Sequence, residues 1–338
     1  MKQISNPPNP FESAHREMLE PAPKAKLEVY EDASRTILTR NDSPDLGFTW
    51  SANCYRGCFH SCAYCYARQY HEYLGLGAGT DFESKIAIKK SAPRLLRESF
   101  MKKSWKGEEI VFSGATDAYQ PLEAVYRLTR GCLEVCLEFR NPVAIITKSY
   151  LIVRDVDLLA DLARDAYGAA ILSIPFASDD TARKIEPQAS TITRRFEAVE
   201  KLAKAGVPVG ISLAPTIPGL NEGDIPEIMK RAADCGARFA FHTLVRLTGS
   251  VADVFQEKIK ASLPPERVDR ILNRIRETRG GALDDARFGS RMIGKGVYWE
   301  AIAQLFDVSR KKYGLDRFPA LPEPSPFRRP DPQLELRL

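Results

Sequence analysis

The chain has 338 residues, 44% of them hydrophobic, and a formal net charge of +5. That is enough for one large α/β domain or two smaller ones, and too mild a charge to demand a polyanionic partner by itself. No uncharged apolar run reaches the length of a membrane span, Met1–Leu19 is polar, and four of the seven cysteines fall between Cys54 and Cys65, which predicts a cytoplasmic protein with a metal site rather than a secreted disulfide framework.

Residues 1–45 are rich in Pro, Asn and charge and read as an N-terminal arm with one apolar stretch at Thr36–Leu38. From about Gly47 the pattern alternates. Strands are predicted at Phe48–Ala52, Glu109–Phe112, Val143–Thr147, Ala169–Ile174, Pro208–Leu213 and Arg238–Leu244, each short, apolar and β-branched or aromatic. Helices are predicted between them at Tyr64–Tyr73, Pro93–Lys102, Leu122–Phe139, Asp155–Ala166, Thr193–Lys204 and Ile225–Cys235. Lys204-Ala205-Gly206 followed by Pro208 reads as a glycine-capped helix end. Strict alternation implies a parallel sheet, and six units predict a partial (β/α)6 TIM-type barrel over 46–250, with chemistry at the C-terminal ends of the strands. Beyond Ser250 the pattern is helical without strands (Val251–Ala261, Pro265–Thr278, Tyr298–Lys312), a C-terminal extension over 251–317. The proline-rich stretch 318–338 is expected to wrap the domain or stay mobile. Residues 81–106 carry eight Lys/Arg against three Asp/Glu, and 287–338 carry ten against six. Such stretches suit nucleic acid, a phosphorylated ligand, an acidic partner or plain solvated surface.

The run Cys58-Phe59-His60-Ser61-Cys62-Ala63-Tyr64-Cys65 concentrates the chemistry. Three thiolates on one short loop can hold three irons of a cubane and leave the fourth open for a reacting ligand. Zinc is the competing reading, but it takes four ligands, often as paired knuckles, and no second knuckle follows. Cys54 is either a fourth ligand, giving a closed electron-transfer cluster, or a small buried residue at the strand end. Cys132 and Cys136, four apart on one helix face, and Cys235 read as core thiols. A second polar run, Ser113-Gly114-Ala115-Thr116-Asp117-Ala118-Tyr119-Gln120-Pro121, follows the second strand, where Thr116 or Asp117 could equally cap a helix.

The C-x3-C-x2-C spacing, the aromatic Tyr64 and the following β/α array resemble the radical S-adenosylmethionine (radical SAM) superfamily. The wider run 53–68, with Ser-x2-Thr-Asp-x3-Pro-x-Glu, is similar to the subgroup related to spore photoproduct lyase, over about residues 47–245. The resemblance implies a 4Fe–4S cluster on Cys58, Cys62 and Cys65 that reductively cleaves SAM to a 5′-deoxyadenosyl radical, fed by a one-electron reductant such as flavodoxin or ferredoxin. It places Tyr64 and Tyr66 beside the cofactor. Ser113, Thr116 and Asp117 would face the methionine amino group, Lys148 its carboxylate, and Ser173 the carboxylate or the ribose. A surface role for Lys148 is the bland alternative. The lyase carries a hydrogen-donating cysteine just before its Ser-Asp pair; here that stretch reads Gly114-Ala115-Thr116-Asp117, so lyase-type repair is not expected, and Tyr119 is the remaining hydrogen-donor candidate. The substrate is left open, nucleic acid included. The reading from a different class is a non-catalytic Fe–S or zinc protein that binds nucleic acid.

Overall fold

The computed structural model describes residues 26–330; the rest of the predicted arm and tail lies outside them. Ten strands occur among the described residues: β1 (Glu28–Glu31), β2 (Leu38–Arg40), β3 (Trp50–Ala52), β4 (Tyr55–Arg56), β5 (Lys85–Ile88), β6 (Ile110–Phe112), β7 (Val143–Thr147), β8 (Gly168–Ser173), β9 (Val209–Thr216) and β10 (Phe239–Leu244). The large sheet runs β10-β9-β8-β7-β6-β3-β2. β3 and β6 to β10 pair in parallel in chain order, and β2 adds an antiparallel edge. The six predicted strands are these six parallel ones, so their C-terminal ends share one rim.

Burial on both faces explains the nearly unbroken apolar strands. One face packs under the helices through Ile110, Phe112, Val143, Ile145, Ala170 and Leu172. The other carries Val111, Ala144, Ala169, Ile171 and Phe239. Gly210 makes room for the Phe239 ring, since a Cβ there would lie 2.2 Å from it. Gly206 (φ +83) ends the helix Ile192–Lys204 as its sequence predicts.

No β10–β2 ladder closes the barrel among the described residues. Segment 285–293 bridges the two edges instead. Leu244 N donates to Met292 O (3.0 Å) on the β10 side. Beyond β2, Asp45 accepts from Gly289 N and from Arg291 Nε, both at 2.6 Å. Lower on β10, Ala240 N donates to Leu315 O (2.9 Å) and Arg317 N to Arg238 O (3.0 Å), which covers an otherwise open edge.

Several elements differ from the sequence reading. The helix expected at Tyr64–Tyr73 is a 3-10 turn at Tyr66–Arg68 followed by a short helix, Gln69–Glu72, because the fully buried Arg68 donates back to the Cys62 carbonyl (2.7 Å). The helix expected at Leu122–Phe139 breaks at Arg127, which adopts φ +49. The helix Asp179–Ile185 and the three-stranded sheet β1-β5-β4 were not foreseen; these strands are two to four residues long, too short to show a period. The tail wraps as far as it is described: Phe327 stacks on Phe139 (6.1 Å), and Arg329 donates to the carbonyls of Phe100, Lys102 and Trp105. No helix among the described residues is long and apolar enough to cross a membrane.

Candidate active site

The cysteine loop leaves β3 at the C-terminal rim. Gly57 starts it at φ +76, where a Cβ would meet His71 Cε1 at 2.8 Å and Phe82 O at 3.0 Å. Thr116 donates to Gly57 O (2.6 Å) and the Gln120 carboxamide accepts from Phe59 N (3.2 Å). Cys58 N donates to Phe82 O (2.9 Å), and Ala63 N to Ile185 O (2.8 Å). Ser61 adopts φ +58; its carbonyl accepts from Lys258 Nζ (2.9 Å), which also pairs with Glu83. Glu83 in turn pairs with Arg68. The loop's backbone is therefore fixed from four directions before any cofactor is considered.

Cys58 and Cys62 are buried, Cys65 is half-buried, and none forms a disulfide. Burial drives the Cys62 thiol up, helped by Glu186, and drives Cys65 up, helped by Cys58. Cys58 differs. Burial again pushes upward, but the His60 imidazolium outweighs it and lowers this thiol. His60 is itself pushed up to about 10: burial opposes the charge, and Cys58 and Asp117 outweigh burial. One cysteine of the three is thus biased toward the ligand-competent thiolate.

Asp117 clamps two strand ends together. Its Oδ1 accepts from Thr147 Oγ1 (2.6 Å) and Tyr119 N (2.9 Å), its Oδ2 accepts from Lys148 N (2.8 Å), and His60 Nδ1 lies 3.4 Å away. Burial would raise this carboxyl, yet His60 and these donors hold it far below the usual range. Ser113, at φ +99, donates to Ile146 O (2.5 Å) and accepts from Ala118 N (3.2 Å). Thr116 accepts from Gln120 Nε2 (3.2 Å) in addition to its bond to Gly57. The side chains expected to face an ammonium are engaged in knitting the rim, which leaves the backbone carbonyls of this run as acceptors.

Lys148 stands at the end of β7 with its ammonium 5.7 Å from the Tyr64 ring centroid. Burial works against its charge, and Cys62 and Glu186 more than restore it. The Tyr64 hydroxyl donates to Glu186. Glu186 pairs with Arg195 at 2.5 Å, both side chains fully buried, and Arg195 also donates to Ser173 O (2.9 Å). Tyr66, partly exposed, donates to Gly114 O (2.6 Å). The structure thus gathers the three cysteines, Tyr64, Tyr66, Ser113, Thr116, Asp117, Lys148 and Ser173 on one rim. Tyr119 it does not: this side chain is fully buried, its hydroxyl set toward Asp155 under Arg154. Cys54 turns away too, its Sγ 3.7 Å from that of Cys132.

The sequence matches the radical SAM superfamily over residues 52–232. The chain belongs to the radical SAM superfamily. An uncharacterised Mycobacterium tuberculosis protein is 30% identical over 227 residues, 67% of this chain and 66% of that relative, a little under two thirds of its length. A Pseudomonas phage M6 protein named as a radical SAM Nalpha-GlyT isomerase is 25% identical over 67% of this chain and 45% of its own. In fold, spore photoproduct lyase complexed with dinucleoside spore photoproduct superposes with a TM-score of 0.55 at 18% identity, covering 84% of this chain and 78% of that one. Members of this superfamily use a 4Fe–4S cluster and SAM, and their partial TIM-type barrel is the α/β architecture seen here.

The donor set fits that cluster. Three undisulfided thiols sit on one fixed loop, close enough for Cys62 to feel both Cys58 and Cys65. Among the described residues, no three His, Cys, Asp or Glu side chains converge on a single-ion site; a cubane asks less, because each thiolate takes a different iron. Gln120, Arg68, Lys258, Glu186 and Arg195 were not singled out in the sequence. Lys258 reaches Ser61, Glu186 reaches Tyr64 and Gln120 reaches Phe59 from far along the chain, and the nearer contacts of Arg68 and Arg195 follow no helical or strand period.

Proposed function

We propose that this protein is a radical SAM enzyme in which Cys58, Cys62 and Cys65 hold the cluster and the fourth iron takes SAM. When bound, such a cluster supplies the electron that breaks the S–C5′ bond of SAM and starts hydrogen abstraction from the substrate. Lys148, at the end of β7 and charged beside Cys62, receives the SAM carboxylate, with Ser173 alongside. The carbonyls of 113–116 receive its ammonium, held in place by Asp117 and Thr116. Tyr64, fixed by Glu186, lies against the cofactor, and Tyr66 borders it on the rim. The residues' work is to aim the cofactor and keep water from it.

The observation that carries this reading is the placement of three free thiols and a charged lysine on one rim of a parallel sheet. Cys54 turns inward, so the open-site arrangement is favoured over a four-cysteine cluster. Anaerobic reconstitution tests the ligand set. Iron content and the EPR signal should survive Cys54→Ala and collapse in Cys58→Ala, and added SAM should perturb the wild-type signal. A cluster lost with Cys54→Ala, or one indifferent to SAM, contradicts the proposal. The run 114–117 holds no thiol, and Cys54, Cys132 and Cys136 are buried in the core. Lesion reversal through a cysteine at that position is therefore not part of the proposed function.

A further inference from the structure

Besides Lys148, which the proposed function assigns to SAM, Arg246 is a cation of this rim with no ion pair or side-chain hydrogen bond among the described residues. Arg246 lies two residues beyond β10, half-buried, and its Nε is buried without a hydrogen bond. It makes no ion pair with any described residue. Its guanidinium lies over the Tyr66 ring, with Cζ 5.6 Å from the centroid. Tyr66 follows the cluster cysteine Cys65 and meets Tyr70 edge-on at 6.3 Å. Both rings are partly open, 37% and 40% exposed. The nearby Arg291 differs, because Asp45 neutralises it at 2.6 Å. Asp284 exerts some pull on Arg246, but it forms no ion pair there. Its Oδ1 is itself buried and unbonded, as is the Thr248 hydroxyl. Burial, and after it the like charge of Arg291, makes the Arg246 cation unfavourable as it stands.

We propose that Arg246 receives a phosphate group of the substrate, with one ring of the perpendicular Tyr66–Tyr70 pair stacking an adjoining base and the other meeting its edge, so that the substrate contains a nucleotide unit. A planar guanidinium matches a phosphate through two parallel hydrogen bonds, and aromatic rings accept any base face. A carboxylate would satisfy the charge but gives the paired tyrosines no ring to stack. The inference rests on the proposed radical SAM reading, because Tyr66 ties this subsite to the cluster loop.

The test is calorimetric binding to the reconstituted protein with SAM present, at fixed ionic strength. The probes are thymidylyl-(3′→5′)-thymidine, thymidine 5′-monophosphate, uncharged thymidine and the dipeptide Gly-Phe. Wild type should bind a phosphate-bearing probe at least tenfold more tightly than thymidine or Gly-Phe. Arg246→Gln should erase that preference, Arg246→Lys should retain part of it, and Tyr70→Ala should weaken the phosphate probes several-fold. Preference for the dinucleotide alone indicates an oligonucleotide source, and for the monophosphate alone a free nucleotide. Without ligand, Arg246→Gln should unfold at the same temperature as wild type or higher, because it removes an unpaired charge; a lower temperature indicates a structural arginine. No phosphate preference in wild type, or an undiminished one in Arg246→Gln, overturns the proposal. Formation of 5′-deoxyadenosine by wild type is read separately. Its absence sinks the enzyme reading and leaves a phosphate preference at Arg246 standing.

Discussion

Replacing Glu186 with Gln tests how the fold supports the cofactor face. Glu186 and Arg195 form an ion pair with both side chains at 0% exposure. After the change, Arg195 keeps only carbonyl partners, Ser190 O and Ser173 O, each at 2.9 Å. Removing one member of a buried pair costs about 3–5 kcal/mol, because the remaining charge stays buried. The two carbonyls soften this, so a loss of about 3 kcal/mol is expected. The bond from the Tyr64 hydroxyl changes from charge-assisted to neutral, worth about 1 kcal/mol. SAM affinity should then fall by roughly fivefold to tenfold. Chemical denaturation of the apoprotein reads the first quantity, and SAM titration of the reconstituted protein reads the second. The double variant Glu186→Gln/Arg195→Gln should recover at least 1 kcal/mol of the loss, since it removes the orphaned cation. A single-variant loss under 1 kcal/mol, or a double variant worse than the sum of its parts, refutes the argument.

Gly57→Ala must place a side chain at φ +76 against His71 and Phe82; about 1–3 kcal/mol of backbone strain plus the clash should lower iron incorporation more than tenfold, measured by iron analysis. Lys258→Met removes the ammonium that holds Ser61 O and Glu83. Arg68 still neutralises Glu83, so a loss of about 2 kcal/mol is expected by denaturation, with faster cluster loss on exposure to a chelator. His242 is stacked between Phe306 (4.0 Å) and Trp299 (5.4 Å), and burial lowers its pKa to about 4. The unfolded chain takes up this proton near pH 6.5 and the folded chain only near 4, so stability falls as pH drops through that window. Relative to His242→Phe, wild type should lose roughly 3 kcal/mol between pH 6.5 and 4, and parallel pH profiles would contradict this.

The parallel strands were legible because burial on both faces writes them as short apolar β-branched runs. Val143–Thr147 matches residue for residue, and Pro265–Thr278 was equally plain from its helical period. The cysteine loop was legible because its three cysteines lie within eight residues. The supports of that loop were not. Lys258 reaches Ser61 across 197 residues, and Tyr64 reaches Glu186 across 122. Such pairs follow from the fold, not from local pattern. Asp117 was singled out for its place after β6, but its saturation by Thr147, Lys148 N and Tyr119 N depends on how β6 and β7 lie together. Tyr119 shows the reverse case: sequence position puts it beside the site, and burial takes it out.

The central claim is that this rim binds and cleaves SAM. Anaerobically reconstituted protein, given SAM and dithionite, should release 5′-deoxyadenosine and methionine in equal amounts by liquid chromatography, and Cys62→Ala should release neither above background. A wild-type protein that carries its full cluster and forms no 5′-deoxyadenosine would contradict the account.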